Sequence, residues 1–155
     1  MHSSSIYVRL KVDREVFLMS NVEKVYKAGI YKAANTVVVE DRPLPIVGPK
    51  DVLLRNQVGG ICGTDINIVK EGRTDWIRFN KEFGHEFSGI VEAVGAQVKD
   101  IKIGMHVAVN PITAKLVGRE FALEVGGFSQ YILIEEAAIN YNLFILEKDV
   151  TAEEG

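Results

Sequence analysis

The chain has 155 residues, of which 47% are hydrophobic and 25% charged, and its formal net charge is −3. This length and composition are typical of one globular domain with a buried core. No long basic run is present, so we expect no nucleic-acid partner. No apolar stretch reaches the roughly 20 residues that span a bilayer, so we expect no membrane partner either. A single cysteine excludes an internal disulfide, and the start lacks a signal-peptide pattern, which together lead us to expect a cytoplasmic protein.

Residues 1–20 differ from the rest of the chain. Ile6–Leu10 and Glu15–Leu18 have strand-like patterns, but Met19-Ser20 also resembles a natural start. The segment is either a loosely ordered extension or an added hairpin, and we favour the extension. The main domain is therefore expected over residues 21–155.

Downstream of this extension, short β-branched runs bounded by Gly, Pro or Asp predict strands. The expected strands are Val25–Tyr31, Thr36–Glu40, Asp51–Gly59, Gly89–Val94, His106–Asn110, Phe128–Glu135 and Leu143–Leu146. Arg42-Pro43-Leu44-Pro45 predicts a connection, because proline lacks the N–H of a strand ladder. Gly95, Gly104 and Gly126-Gly127 predict turns, and Asp65–Lys70 predicts a short helix. Closely spaced strands of this kind indicate a barrel or a sandwich.

Two short segments carry potential metal-binding groups. Gly60-Ile61-Cys62-Gly63-Thr64-Asp65 contains the only cysteine, and Gly84-His85-Glu86-Phe87 contains a histidine followed by a carboxylate. Thiolate, imidazole and carboxylate are the protein ligands of zinc, and a catalytic zinc leaves one position open. Cys62 could instead be a buried small hydrophobic residue or a nucleophile paired with a histidine. For His85 the other interpretation is a hydrogen-bonded strand residue.

The order and spacing of these segments resemble the catalytic domain of the medium-chain zinc-dependent alcohol and polyol dehydrogenases. The resemblance runs from about residue 25 to residue 155. Besides the two segments, the stretches that carry the resemblance are Val25–Ala28, Pro49–Leu54, Ser88-Gly89, Val91–Gly95, Gly104–Val109, Gly126–Tyr131 and Glu153–Gly155. It implies a mainly β fold with short helices, namely the GroES-like β-barrel without the Rossmann domain.

The resemblance also implies roles for the residues of the two segments. Cys62 and His85 are expected to be zinc ligands, and Glu86 to be a supporting carboxylate or an alternate ligand. The Thr64 hydroxyl is expected to contact the substrate alcohol and to begin a proton relay, since a hydroxyl can both donate and accept. Its other interpretation is a helix N-cap. We expect Asp65 to support the loop or the first helical turn.

The region that follows the cysteine motif is expected to form the substrate pocket. Ile68, Trp76 and Phe79 are expected to line it, with plain core packing as the equal alternative. Many relatives have a relay histidine where this chain has Asn67, so a relay here would need water. We interpret His106 as an exposed strand residue outside the site.

Two departures from the family pattern shape the expectations about cofactors. Residues 110–126 contain no cysteine, so we expect the lobe that holds a structural zinc to be deleted. The printed sequence ends before the position of the family's third zinc ligand, and it contains no Gly-x-Gly-x-x-Gly dinucleotide motif. We therefore expect one incomplete catalytic zinc site, with NAD(P) bound only by a full-length parent.

The first functional hypothesis is the catalytic-domain fragment of a zinc-dependent oxidoreductase that acts on a secondary alcohol, a polyol or a sugar. The isolated chain is expected to be inactive, and to form a homo-oligomer or pair with a separate cofactor domain through an exposed face around Cys62, Ile68, Trp76 and Phe79. The alternative is a GroES-like binding or interaction module without catalysis. A metal-free cysteine hydrolase ranks last, because no convincing base accompanies the cysteine.

Overall fold

The computed structural model describes residues 24–114 and 120–146. Within them the elements, in chain order, are β1 (Val25–Ala33), β2 (Thr36–Pro43), β3 (Val52–Gly60), α1 (Gly63–Glu71), β4 (Lys81–Glu82), β5 (Glu86–Val94), β6 (His106–Val109), a 3-10 helix (Ala122–Val125), β7 (Tyr131–Ile134) and β8 (Leu143–Ile145). The predictions for residues 1–20 and for Glu153–Gly155 lie outside the described part. No helix in the described part is long and apolar enough to cross a membrane.

The described strands form two antiparallel sheets. The first has the order β2-β1-β4 and the second the order β7-β3-β5-β6-β8. The mainly β fold with short helices is confirmed, although neither sheet closes into a barrel within the described residues. The sheets meet at Phe128 and Ser129, where the Gly29 N–H donates to the Phe128 carbonyl at 2.9 Å and Ala28 forms a β-bridge with Ser129.

Three groups of buried side chains form the core of the part of the chain that the structure describes. The main group lies under the five-stranded sheet and includes Leu54, Val91 and Ile132. Along β7 the buried residues alternate with less buried ones, because successive strand side chains point to opposite faces, whereas the first three residues of β3 are all buried. A second group, centred on Tyr31 and Ile68, packs α1 against the three-stranded sheet. The third group is Tyr26, Ala28 and Ile30 on the other face of β1.

All the predicted strands in this part are present, with ends that differ by a few residues. β2 extends through Pro43, so the predicted connection from Arg42 was partly wrong: Pro43 pairs with Val25 at the end of the ladder, where proline is tolerated. β7 begins at Tyr131, because Phe128 and Ser129 join the two sheets. β4 and the 3-10 helix are too short to show a periodic pattern, and the sequence did not predict them.

Candidate metal centre and adjoining cleft

Strand pairing brings the two candidate ligand segments together. Gly60 at the end of β3 is paired with Glu86 at the start of β5. Cys62 follows β3, and His85 directly precedes β5. One donor atom from each of Cys62, His85 and Glu86 lies within 4.8 Å of the other two. The two segments therefore meet, as the motifs predicted, in a cluster that contains a sulfur, a nitrogen and an oxygen donor.

The Asp65 side chain links the two segments. Its Oδ2 accepts the Cys62 N–H at 2.8 Å, and its Oδ1 lies 3.1 Å from His85 Nδ1. These two facing atoms are buried, and neither has a hydrogen-bond partner in the described part of the chain. Burial raises the pKa of Asp65, and the Cys62 N–H and His85 act in the opposite direction. The sequence predicted only a supporting role in the helix turn; the structure adds the contact with His85.

The backbone before His85 is held from a distant part of the chain. The Gly84 carbonyl accepts the N–H groups of Gly126, at 3.1 Å, and Gly127, at 2.9 Å. Gly84 has φ +97°, and a Cβ there would lie 2.9 Å from atoms of Phe128. Only glycine fits this conformation and this close approach without strain. Both features fix the direction in which His85 leaves the loop.

Thr64 lies beside the cluster, in the first turn of α1. Its Oγ1 is 3.6 Å from Cys62 Sγ. The N-cap of α1 is Cys62, with extended backbone angles, so the N-cap interpretation of Thr64 was wrong. The reason is that Asp65, three residues after Cys62, caps the Cys62 N–H, so the helix starts two residues earlier than it would with a threonine cap at Thr64. The Thr64 hydroxyl is therefore not required as a cap.

A cleft of about 140 Å³ adjoins Thr64. Its lining residues are Thr64, Asn67, Ile68, Arg73 and Trp76. Ile68 is 1% exposed and forms the floor, whereas Trp76 is 50% exposed and forms a wall. Arg73 is a lining residue that the sequence reasoning missed, since a charged residue just after a helix usually indicates a solvated surface. Phe79 is not among the lining residues; its ring centroid lies 5.0 Å from that of Tyr31, and the two rings are tilted by 56°.

The expected apolar face is exposed only in part. Ile61, Ile66, Trp76 and Phe79 are exposed, but Ile68 is not, because it packs in the core group around Tyr31. His106 is exposed on β6, as predicted. Self-association through this face remains a prediction.

A buried ion pair near the site was not predicted. Glu124 is 0% exposed, and its Oε1 accepts from the Arg78 backbone N–H at 3.0 Å and from Arg78 Nε at 2.8 Å. Its Oε2 accepts from Arg78 Nη2 at 2.7 Å and from the Glu120 N–H at 3.0 Å. Burial alone would raise the pKa of Glu124, but these hydrogen bonds outweigh it, and the pKa is lowered. The pair ties the loop after Trp76 to the 3-10 helix.

The donor set of the cluster fits zinc. Tetrahedral zinc with sulfur, nitrogen and oxygen ligands holds those atoms about 3.5 Å apart, so side-chain rotation is enough to close the cluster. His85 Nδ1 faces Asp65, which leaves Nε2 as the ring nitrogen for a metal. A carboxylate on the other nitrogen of a ligand histidine is the usual arrangement in zinc sites.

The fold and this cluster define a class, the alcohol dehydrogenase GroES-like domain. The model of that family matches residues 48–141, more than half of the chain, and the chain belongs to the family.

Individual relatives agree with this assignment. The chain is 45% identical over 75 residues to a sorbitol dehydrogenase of Macaca fascicularis, a match that covers 47% of the chain and 21% of that protein. The structure is similar to 2R,3R-butanediol dehydrogenase from Bacillus subtilis, with a TM-score of 0.70, 26% identity, and coverage of 84% of this chain and 43% of that one. A zinc-dependent alcohol dehydrogenase 2 from Streptococcus pneumonia has a TM-score of 0.66 at 25% identity, with coverage of 83% and 40%. The chain thus spans less than half the length of each of these relatives.

Proposed function

We propose that this chain is the catalytic domain of a zinc-dependent oxidoreductase that moves a hydride between a secondary alcohol, of the polyol or sugar class, and NAD(P). The observation that carries the proposal is the meeting of Cys62, His85 and Glu86 within 4.8 Å. Membership of the alcohol dehydrogenase family supports it. We assign the domain to residues 21–155, with residues 1–20 as an extension, and place the protein in the cytoplasm.

In this proposal Cys62, His85 and Glu86 hold the zinc. When bound, the metal supplies Lewis-acid polarisation of the alcohol oxygen, which lowers the pKa of that hydroxyl. Asp65 orients His85 from behind, and its contact with the Cys62 N–H keeps the two ligand segments in register. Because Glu86 is the exposed member of the set, we expect it to be the most easily displaced.

The Thr64 hydroxyl accepts the alcohol proton, since it borders both the cluster and the cleft. Asn67 cannot titrate, so the proton passes from Thr64 to water rather than to this side chain. The exposed side chains around Trp76 would receive the cofactor-binding partner, which presents NAD(P) to the open side of the cleft.

Metal binding tests the proposal directly. The chain would be titrated with Co²⁺, a spectroscopic substitute for Zn²⁺, and the thiolate-to-cobalt absorption band recorded, because only a thiolate ligand produces it. We expect the band in the wild type and its loss in Cys62→Ser. His85→Ala should weaken binding, whereas the matched control His106→Ala should not.

The same titration can contradict the proposal. Unchanged cobalt affinity in Cys62→Ser, or equal affinities in His85→Ala and His106→Ala, would place the metal elsewhere. The absence of any cobalt or zinc binding by the wild type would favour the binding-module alternative.

A further inference from the structure

We propose that Arg73 is a positioning residue that sets the range of alcohols the cleft accepts by holding the Trp76 indole in place. The inference rests on the proposed function in one respect, namely that the cleft receives the alcohol. Its geometric basis is independent of the metal cluster.

The Arg73 side chain is held on two sides. In the plane of the guanidinium, Nε donates to Asp75 Oδ1 at 3.0 Å and Nη2 donates to Asp75 Oδ2 at 2.6 Å. The guanidinium carbon lies 5.7 Å from the centroid of the Trp76 ring. A planar guanidinium bound edge-on by a carboxylate keeps its flat face free for an aromatic ring, and both interactions can be satisfied together.

The backbone of Arg73 is anchored to the opposite wall. Gly72 ends α1 in the left-handed conformation, and the Arg73 N–H donates to the Ile68 carbonyl at 3.2 Å. The helix closed in this way carries Thr64 and Asn67 on the cleft. Arg73 therefore joins the helical wall of the cleft to the Trp76 wall.

Trp76 needs such a contact because it is half exposed. A side chain with half of its surface in water is fixed only weakly by packing and can change rotamer. If the indole turns away, the cleft widens on the side that faces the substrate carbon chain. Lysine would keep the charge of Arg73 but lose the paired N–H donors and the planar face of the guanidinium. Arg73→Lys is therefore not a conservative change here.

The first test uses the fluorescence of Trp76, the only tryptophan in the chain. Acrylamide quenching and time-resolved anisotropy would be measured for wild type, Arg73→Gln, Arg73→Lys and Asp75→Asn. The matched control is Arg55→Gln, another half-exposed arginine paired with a carboxylate, Glu92, that does not line the cleft. We expect faster quenching and faster local rotation in both Arg73 variants, a smaller change of the same sign in Asp75→Asn, and none in the control.

The second test addresses the substrate range. Trp76 emission would be followed while metal-free and cobalt-loaded protein are titrated with propan-2-ol and with the bulkier secondary alcohol 1-cyclohexylethanol. We expect the ratio of the two apparent dissociation constants to shift toward the bulky alcohol by roughly threefold or more in Arg73→Gln, since pocket shape discriminates between ligands at least to this degree. Circular dichroism would establish that the variants remain folded.

The outcomes separate the two proposals. Wild-type quenching and anisotropy in both Arg73 variants, or an unchanged ratio of dissociation constants, would overturn the positioning role. Suppose that the wild type gives no cobalt band, but that Trp76 is more mobile in the Arg73 variants. The proposed function is then overturned, and the positioning role is still supported.

Discussion

Asp65 Oδ1 lies 3.1 Å from His85 Nδ1, while the other oxygen of the same carboxylate accepts the N–H of Cys62. One buried side chain thus contacts both segments that supply the candidate ligands. One segment follows the end of β3, and the other precedes the start of β5. Because Asp65 also caps the start of α1, the arrangement of the cluster is coupled to the fold of the domain.

The first prediction concerns this carboxylate. Asp65→Ala should lower zinc affinity about 10–100-fold, because it removes the group that orients His85. Competition with a chromophoric chelator would measure it. The matched control is Asp41→Ala, which removes an exposed carboxylate paired with Lys27. Equal affinity in the two variants would show that Asp65 does not orient the ligand. Urea unfolding, run in parallel, should show a loss of about 0.5–2 kcal/mol for Asp65→Ala from the missing cap alone.

The second prediction concerns stability at low pH. The pKa of Glu124 is lowered in the folded state, so its contribution to the free energy of unfolding is fully present above its usual value of 4.5. That contribution is lost as the pH falls from there through the lower, folded-state pKa. Glu124→Gln should cost about 2–3 kcal/mol at pH 7, since Arg78 loses its buried partner but remains partly exposed.

Urea denaturation between pH 7 and pH 3 would check this dependence. The cost of Glu124→Gln should shrink toward zero as the pH falls, because the wild-type carboxylate becomes neutral as well. Glu92→Gln, in an exposed pair with Arg55, serves as control and should change stability little at any pH. A cost of Glu124→Gln that is constant over this range would contradict the assignment.

The third prediction separates backbone strain from steric clash. Gly84 and Gly104 both have positive φ, +97° and +89°, but only Gly84 has neighbours where a Cβ would lie. Gly104→Ala should therefore cost about 1–2 kcal/mol from conformation alone. Gly84→Ala should cost about 1–3 kcal/mol more, because the methyl group meets Phe128. Only Gly84→Ala should also weaken metal binding, since His85 is the next residue; equal effects on metal affinity would be evidence against that link.

The fourth prediction tests the core under the five-stranded sheet. Leu54 is 0% exposed within it, and Leu54→Ala should lower the free energy of unfolding by about 2–5 kcal/mol. Val39→Ala removes methyl groups that are 71% exposed and should change it by less than about 0.5 kcal/mol. Thermal and urea unfolding would compare the two. A similar small loss in both variants would mean that this core group is loosely packed.

The sequence predicted the strands well because their apolar, β-branched runs are local patterns bounded by Gly, Pro or Asp. Cys62 and His85 stood out as candidate ligands for a similar reason, since each lies in a short motif. The sequence could not show which strands pair, because β3 has β5 on one side and the much later β7 on the other. Closure into a barrel was implied by the family resemblance; strand spacing alone left a barrel or a sandwich open, because it carries no information on where pairing stops.

The features near the site that the sequence did not predict depend on contacts between distant residues. The partner of Glu124 is Arg78, 46 residues away, and neither residue stands in a recognisable motif. Ile68 lines the cleft and also packs in the core with Tyr31 and Ile77, which other elements bring to it, so the sequence could not choose between these two interpretations. Arg73 was overlooked because its contact with the Trp76 ring depends on the turn at Gly72.

The two N–H groups that hold the Gly84 carbonyl have a consequence for the order of folding. They come from Gly126 and Gly127, far along the chain, so we expect His85 to reach its place only after that segment has docked. Contacts between distant parts of a chain close late, because their loop entropy must be overcome first. We therefore expect the ligand set to form late in folding, and an ion to bind the finished cluster rather than nucleate the domain. The binding free energy of an ion at the finished cluster then adds to the stability of the folded domain.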